Sequence, residues 1–134
     1  MYYITFLMNN HIFKLMKNIY YFSLTFLCIV YLFPGSLIGF LLYGDLGKQP
    51  NFIENPFGTS INHLIYFFFI TTLATLIKSR VKNIFTNYRN ILLISCVLEI
   101  LHLIVPNRAF ELYDLIANVI GVVLVILINK LIKS

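Results

Sequence analysis

The residues best suited to chemistry in this chain are few, and most of them fall in one short stretch. Glu99 and His102 stand three apart, so on a helix they share a face. Pro106-Asn107 then breaks the pattern and Arg108 follows it. Asp114 and Asn118 stand four apart beyond the break, and Gly121 continues their stripe. His63 lies alone in an earlier apolar segment. A carboxylate beside an imidazole can serve as general base with an acid partner. An arginine can clamp a phosphate through charge-assisted hydrogen bonds, with Asn118 and His102 orienting it. No Ser or Cys nucleophile stands next to the pair, because Ser95 is a full turn from Glu99 and Cys96 is three residues before it. Glu99, His102 and His63 together have the atom types of a metal site, but the two cysteines, Cys28 and Cys96, have no metal-type spacing. Both sit inside apolar runs and read as reduced, buried small hydrophobes.

The elements that must position these residues are set by hydropathy. The chain has 134 residues, one domain's worth, of which 60% are hydrophobic and 11% charged. One small soluble core cannot bury that load. Residues 1–16 contain an apolar scrap too short to cross a bilayer and read as an N-terminal cytoplasmic or interfacial segment, with Met1, Met8 and Met16 each a candidate start. Residues 17–134 form the single domain. Within it, apolar runs at 19–33, 61–77, 91–105 and 112–128 predict four transmembrane helices. Lys17 before an apolar run resembles a signal peptide, but no small-x-small cleavage site follows, so the first helix is expected to be retained. The segment 34–58 holds five of the six glycines and three of the four prolines, which marks a loop. Inside it, 37–43 is apolar but only seven residues long and is expected to be a short interfacial helix. Thr59 and Ser60 offer an N-cap to the second span. The fold class is therefore all-α: an integral membrane bundle of four transmembrane helices with a short interfacial helix or loop between the first two.

Charge order gives the orientation. With four crossings, Lys14, Lys17, Lys78, Arg80, Lys82, Arg89, Lys130 and Lys133 fall on one side with no acid. Lys48 and Arg108 fall on the other, with Asp45, Glu54, Glu111 and Asp114. Short loops rich in Lys and Arg stay in the cytoplasm. The chain is thus expected in the cell inner or plasma membrane, multi-pass, with both termini cytoplasmic and the 44–60 and 106–111 loops outside. The basic residues sit in flanks between apolar runs, which argues against a nucleic-acid partner. In this arrangement Glu99 and His102 lie roughly 10 Å and 6 Å below the outer end of their helix at 1.5 Å per residue. A carboxylate at that depth must face the bundle interior and find a partner, with His102, His63 and Arg108 as candidates.

Each residue also has a plain structural use. Glu99 can bond across helices to hold the bundle, and Asn118 can act as interhelical glue. Arg108 can anchor at the interface and His63 can be an interfacial histidine. Asp114 can favour the N-terminus of its helix. Ala117 and Gly121 form a small-xxx-small pair that lets helices approach closely. Thr71, Thr72 and Thr75 can bond back to their own helix. A shared site is expected because six polar residues from three helices reach one depth, while the other half of the bundle is nearly pure hydrocarbon.

The stretch 98–121, LEILHLIVPNRAFELYDLIANVIG, resembles the signature of VanZ-like proteins. That family has a Glu and a Gln three apart, a Pro-x-Arg break, and then Asp, Asn and Gly spaced four and three. Glu99, Pro106, Arg108, Asp114, Asn118 and Gly121 stand at those places. His63-x-x-Tyr66 is a looser match to the family's His-x-x-x-Tyr region. His102 occupies the Gln position, Val125 replaces a second glycine, and the Asp-Lys before the helix-two His is absent. The family is named for a protein associated with resistance to teicoplanin-type glycopeptides, and the resemblance implies a small polytopic membrane protein linked to the cell envelope. It supplies no mechanism. The Gln that the family carries where His102 stands is no zinc ligand, so the resemblance implies neither a metal nor any other cofactor.

The first function expected is binding of an anionic lipid or lipid-linked envelope-precursor headgroup, with His63, Glu99, His102, Arg108, Asp114 and Asn118 as ligand residues. The alternatives are a non-catalytic partner or scaffold subunit that docks another membrane protein or a second copy through Ala117 and Gly121, and an intramembrane lipid hydrolase or transferase with Glu99 as base and His102 or His63 as acid. The balance leans against an enzyme. A transporter is less attractive, since one four-helix unit lacks the inverted repeat common in carriers.

Overall fold

The structure, a computed structural model, describes residues 10–48, 58, 60–81 and 83–133. The expectations for residues 1–9, Glu54, the Thr59 cap and Lys82 lie outside the described residues. Everything described is helix, turn or loop. The five helices are α1 (Asn10–Leu32), α2 (Leu37–Tyr43), α3 (Ser60–Ile77), α4 (Tyr88–Leu101) and α5 (Leu112–Lys133), with one 3₁₀ turn at Ile84–Thr86.

Helix α1 starts nine residues before the apolar run that predicts it. No Gly or Pro interrupts 10–33, and Lys14 and Lys17 lie on an exposed face, so the ladder continues through them. Pro34-Gly35 ends α1 as expected. Gly35 has a φ of 86°, and a side chain there would meet the Leu46 carbonyl oxygen at 2.9 Å, so only glycine fits. Ser36 next caps α2, its hydroxyl accepting from the Gly39 N–H at 2.9 Å, and Gly44 closes the helix in the left-handed conformation. The Asn87 side chain starts α4 by accepting from the Arg89 N–H at 3.2 Å.

Three helices, α1, α3 and α5, are long and apolar enough to cross a membrane. The sequence predicts four. Helix α4 is the difference: it has 14 residues, about 21 Å at 1.5 Å per residue, against a hydrocarbon core of about 30 Å. It stops early because its ladder tightens to three-residue steps. His102, Leu103 and Ile104 donate to Glu99, Ile100 and Leu101 at 3.0–3.1 Å, and the helix ends at Leu101, four residues short of the expected end. All four long helices bear exposed large apolar side chains on their outer faces, among them Phe22, Ile65, Leu93 and Leu131. Surface of that kind is suited to hydrocarbon rather than water.

The four helices alternate in direction. At one end Arg80 donates to the Asn10 side chain at 3.1 Å, the Tyr20 hydroxyl donates to the Phe85 carbonyl, and Asn83 bonds Tyr21 at 3.2 Å. Lys78 lies 4.0 Å over the Tyr88 ring. The start of α1, the end of α3 and the start of α4 therefore meet at this basic end. The end of α1, the start of α3, the end of α4 and the start of α5 meet at the opposite, polar end. The core between the ends is formed by Tyr20, Leu27, Phe67, Ile70, Leu73, Ala74, Ile77, Ile91, Leu98 and Val122.

Helices α3 and α5 make the most extensive helix pair. Gly121 permits this. A Cβ there would lie 2.5 Å from the Leu64 carbonyl oxygen and 3.0 Å from the Phe68 nitrogen, both backbone atoms. Ala117, one turn earlier, is buried on the same face. That small-residue face is thus covered by α3 of its own chain. Gly121→Ala should force the helices apart and destabilise the bundle by about 1–3 kcal/mol, despite the better helix propensity of alanine. Thermal unfolding in detergent measures this, and an unchanged or raised midpoint would contradict the close approach.

Candidate functional site

The polar end gathers side chains from four helices. Tyr31 comes from the last turn of α1, Ser60 and His63 from the first turn of α3, Glu99 from the end of α4 with His102 just past it, and Asp114 and Asn118 from the start of α5. Glu99 and Asn118 are fully buried, and Tyr31, Ser60, His102 and Asp114 nearly so.

Tyr31 is the hub. Its hydroxyl lies 2.6 Å from His63 Nδ1 and 3.2 Å from Asn118 Oδ1. Its ring stacks on His102 with centroids 5.0 Å apart and meets His63 edge-on at 5.4 Å. Nothing in the sequence singled it out, because a tyrosine near the end of an apolar helix reads as an interfacial anchor. Ser60 was expected only as a cap; its hydroxyl donates to Asp114 Oδ1 at 2.5 Å.

Among the described residues, the ion pairs of the two carboxylates Glu99 and Asp114 are with histidines. His102 Nδ1 lies 3.3 Å from Glu99 Oε1, and His63 Nδ1 lies 3.9 Å from Glu99 Oε2. His63 Nε2 lies 3.4 Å from Asp114 Oδ2. Both acids also use the positive end of α5. The Glu111 backbone N–H, at the helix entrance, donates to Glu99 Oε1 at 3.3 Å, and Asp114 stands in the first turn. Among the described residues, Glu99 Oε2, His102 Nε2 and Asn118 Nδ2 are buried without a hydrogen-bond partner. Buried polar groups are rarely left so.

Arg108 is not paired with Glu99. Asn107, at φ 57°, turns the chain after Pro106, and Asn is a residue that tolerates that conformation. Arg108 then reaches back to the end of α1, donating from Nη2 to the Val30 carbonyl at 2.9 Å and from Nε to the Phe33 carbonyl at 3.5 Å. These carbonyls belong to the unsatisfied end of α1, and a cation there is favourable. Burial lowers the Arg108 pKa, with Tyr31, Glu99 and Asp114 opposing that shift. Burial raises the Glu111 pKa, and the neighbouring Asp114 and Glu99 raise it further.

Two cavities meet at His102 and Arg108. One, of about 260 Å³, is mainly apolar and runs between α1, α2 and α3 past Phe26, Val30, Ile38 and His63. The other, of about 310 Å³, is polar and is lined also by Asn107, Glu111 and Asp114. So the structure brings His63, Glu99, His102, Asp114 and Asn118 into one cluster, sets Arg108 at its rim, and turns Ala117 and Gly121 toward α3. Thr72 and Thr75 bond back to the Phe68 and Thr71 carbonyls at 2.8 and 2.7 Å, away from the site.

No family model, no curated protein and no solved structure matches this chain. The resemblance of 98–121 to VanZ-like proteins rests on the residues quoted for it.

The buried hydroxyl of Tyr31 gives a test of the cluster. Tyr31→Phe keeps the ring stacking and removes the group facing both His63 and Asn118. It should cost about 1–3 kcal/mol, because buried polar partners lose their bond. Chemical unfolding in mixed micelles would read it, and a loss well below 1 kcal/mol would mean the hydroxyl is not the hub.

Proposed function

We propose that this chain is a plasma-membrane module of four crossings that binds the headgroup of an anionic lipid or lipid-linked cell-envelope precursor in the outer half of the bilayer. What carries the proposal is the junction of the two cavities. An amphipathic ligand needs an apolar slot and a polar pocket that share a wall, and His102 with Arg108 is that wall. The volumes suit a headgroup with the first part of its tail rather than a whole lipid.

In this reading the guanidinium of Arg108, which holds α1 through Nε and Nη2, offers its remaining N–H groups to a phosphate. Glu111 and Asp114, across the polar cavity, accept from hydroxyl or ammonium groups of the same headgroup. That mixture of one cation and two acids favours a headgroup carrying donors as well as phosphate. The likeness of 98–121 to VanZ-like proteins supports the envelope link. Helix α4 makes the fourth crossing together with its tightened turn at 102–105, its exposed Leu103 and Ile104 extending the apolar surface. The charge order supports termini on the cytoplasmic side.

Native mass spectrometry of the purified protein tests the binding. Wild type should carry phosphate-bearing lipid, and Arg108→Ala should lose most of it; equal lipid content in the two would sink the proposal. Topology is tested separately. With Cys28 and Cys96 replaced, a cysteine at Ala109 should react with an impermeant maleimide in intact cells, and one at Ser79 only after permeabilisation. The reverse pattern would place the cavities on the cytoplasmic side.

A further inference from the structure

Glu99 and Asp114 set a problem of charge. Both carboxylates are buried at the polar end, and among the described residues their ion pairs are with histidines alone. A carboxylate moved from water to a low-dielectric interior needs compensation nearby. One proton on His63, which stands between them, balances one of the two acids. The N-terminus of α5 contributes only about half a charge, shared by both.

The geometry points to a divalent cation in the place where that charge is missing, held by His63, Glu99 and Asp114. One ligand atom from each of these residues lies within 4.8 Å of the other two. An ion about 2.0–2.2 Å from each needs ligand atoms about 3.3–3.8 Å apart in a tetrahedral or trigonal arrangement, so the widest pair has up to about 1 Å to close. The 3.4 Å between His63 Nε2 and Asp114 Oδ2 is already in that range.

Independent of the cluster's composition, Glu99 Oε2 is fully buried, is nearest among its ion-pair contacts to the His63 ring, and has no hydrogen-bond partner among the described residues. It is an unused anionic oxygen facing the His63 ring at 3.9 Å. The surrounding groups also suit ligation. With a proton on His63 Nδ1 donated to the Tyr31 oxygen, and the Tyr31 hydroxyl donating to Asn118, His63 Nε2 is left with its lone pair toward Asp114. A ligating histidine is commonly held this way through its second nitrogen. His102 Nδ1 and the Glu111 N–H fix the other oxygen of Glu99, and Ser60 fixes Asp114.

One imidazole and two carboxylates suit a borderline or hard divalent ion of the zinc or manganese kind. Three protein ligands leave coordination positions open, as in sites that hold water or an exchangeable oxygen ligand. Asp114 lines the polar cavity and His63 the apolar one, so the open positions face the junction between them. The ion site stands without the lipid proposal, since its ligands differ from the Arg108 clamp and its binding is read directly.

The test uses the full chain in detergent, purified through a tag without histidine, stripped with a chelator and titrated with Zn²⁺ or Mn²⁺ alone. Wild type should bind about one equivalent and gain several degrees in unfolding midpoint, as mass action requires of a ligand that binds only the folded state. Glu99→Gln and Asp114→Asn, both nearly isosteric, should weaken binding by at least about tenfold. Should either variant fail to fold, a nitroxide on a cysteine at Ala109 gives a second readout in a chain that keeps all three ligands. Mn²⁺ should broaden its spectrum and leave a label at Ser79, at the basic end, unaffected. No saturable binding by wild type up to about millimolar metal, undiminished binding by both folded variants, or equal broadening of the two labels would each overturn the site.

Discussion

Placing two carboxylates inside an apolar bundle is the constraint around which the polar end is arranged. Glu99 is fully buried and Asp114 nearly so, at the edge of the polar cavity. Each therefore draws a defined set of partners from other helices. His63 comes between them from α3, His102 covers Glu99 from beyond α4, Ser60 bonds Asp114, and the first turn of α5 turns its positive end toward both. Tyr31 closes the set from α1 by bridging His63 and Asn118. Four helices are thus tied at one level by side chains that satisfy one another. Remove one acid and the histidines lose their reason to converge.

That level can exist only because the backbones come close enough. Gly121 brings α5 against the carbonyl of Leu64, one residue after His63, so the polar ends of the two helices are held in register. The 102–111 connection does the complementary job on the other side. Its tightened turn ends α4 at Leu101, Asn107 reverses the chain, and Arg108 fastens the connection to the last carbonyls of α1. Arg108 is thereby a structural clamp on the very helix that supplies Tyr31. Its position at the rim of both cavities follows from that anchoring.

Much of this was legible in the residues. The density of Gly and Pro in 34–58 located α2, and Ser36 and Gly44 bound it as capping rules require. The i, i+3 and i, i+4 spacings placed Glu99 with His102 and Asp114 with Asn118, because helical periodicity converts spacing into a shared face. What failed were features decided by tertiary contact. The start of α1 was read too late because Lys14 and Lys17 looked like a flank, whereas Arg80 receives that turn through Asn10 and the Phe13 ring. Helix α4 was read as running to Val105, since nothing local predicts where a ladder tightens. The sequence offers Arg108 as one of three candidate partners for Glu99, because charge pairing is visible in a sequence, whereas the open carbonyls of a distant helix end, which it actually meets, are not. Tyr31 gave no signal because its value lies wholly in what reaches it from α3 and α5.

The same distinction separates the two halves of the bundle. At the basic end, apart from the buried Tyr20 hydroxyl on the Phe85 carbonyl, the polar contacts among these helix ends are peripheral: Arg80 to Asn10, Asn83 to Tyr21, Lys78 over Tyr88. Such contacts position helix ends near water and each contributes little, since exposed charges are screened. At the polar end the contacts are buried and mutually dependent, and three of the buried atoms, on Glu99, His102 and Asn118, lack a hydrogen-bond partner among the described residues. A bundle held only by helix packing has no use for that arrangement, because apolar side chains of similar volume would hold it at least as well. Retaining two acids, two histidines and an asparagine under a polar cavity is explained if something polar enters. The shortage at Glu99 Oε2 is one of positive charge, which a divalent cation supplies. The headgroup proposed for the polar cavity meets Arg108, Glu111 and Asp114 instead, and the two proposed occupants are complementary for that reason.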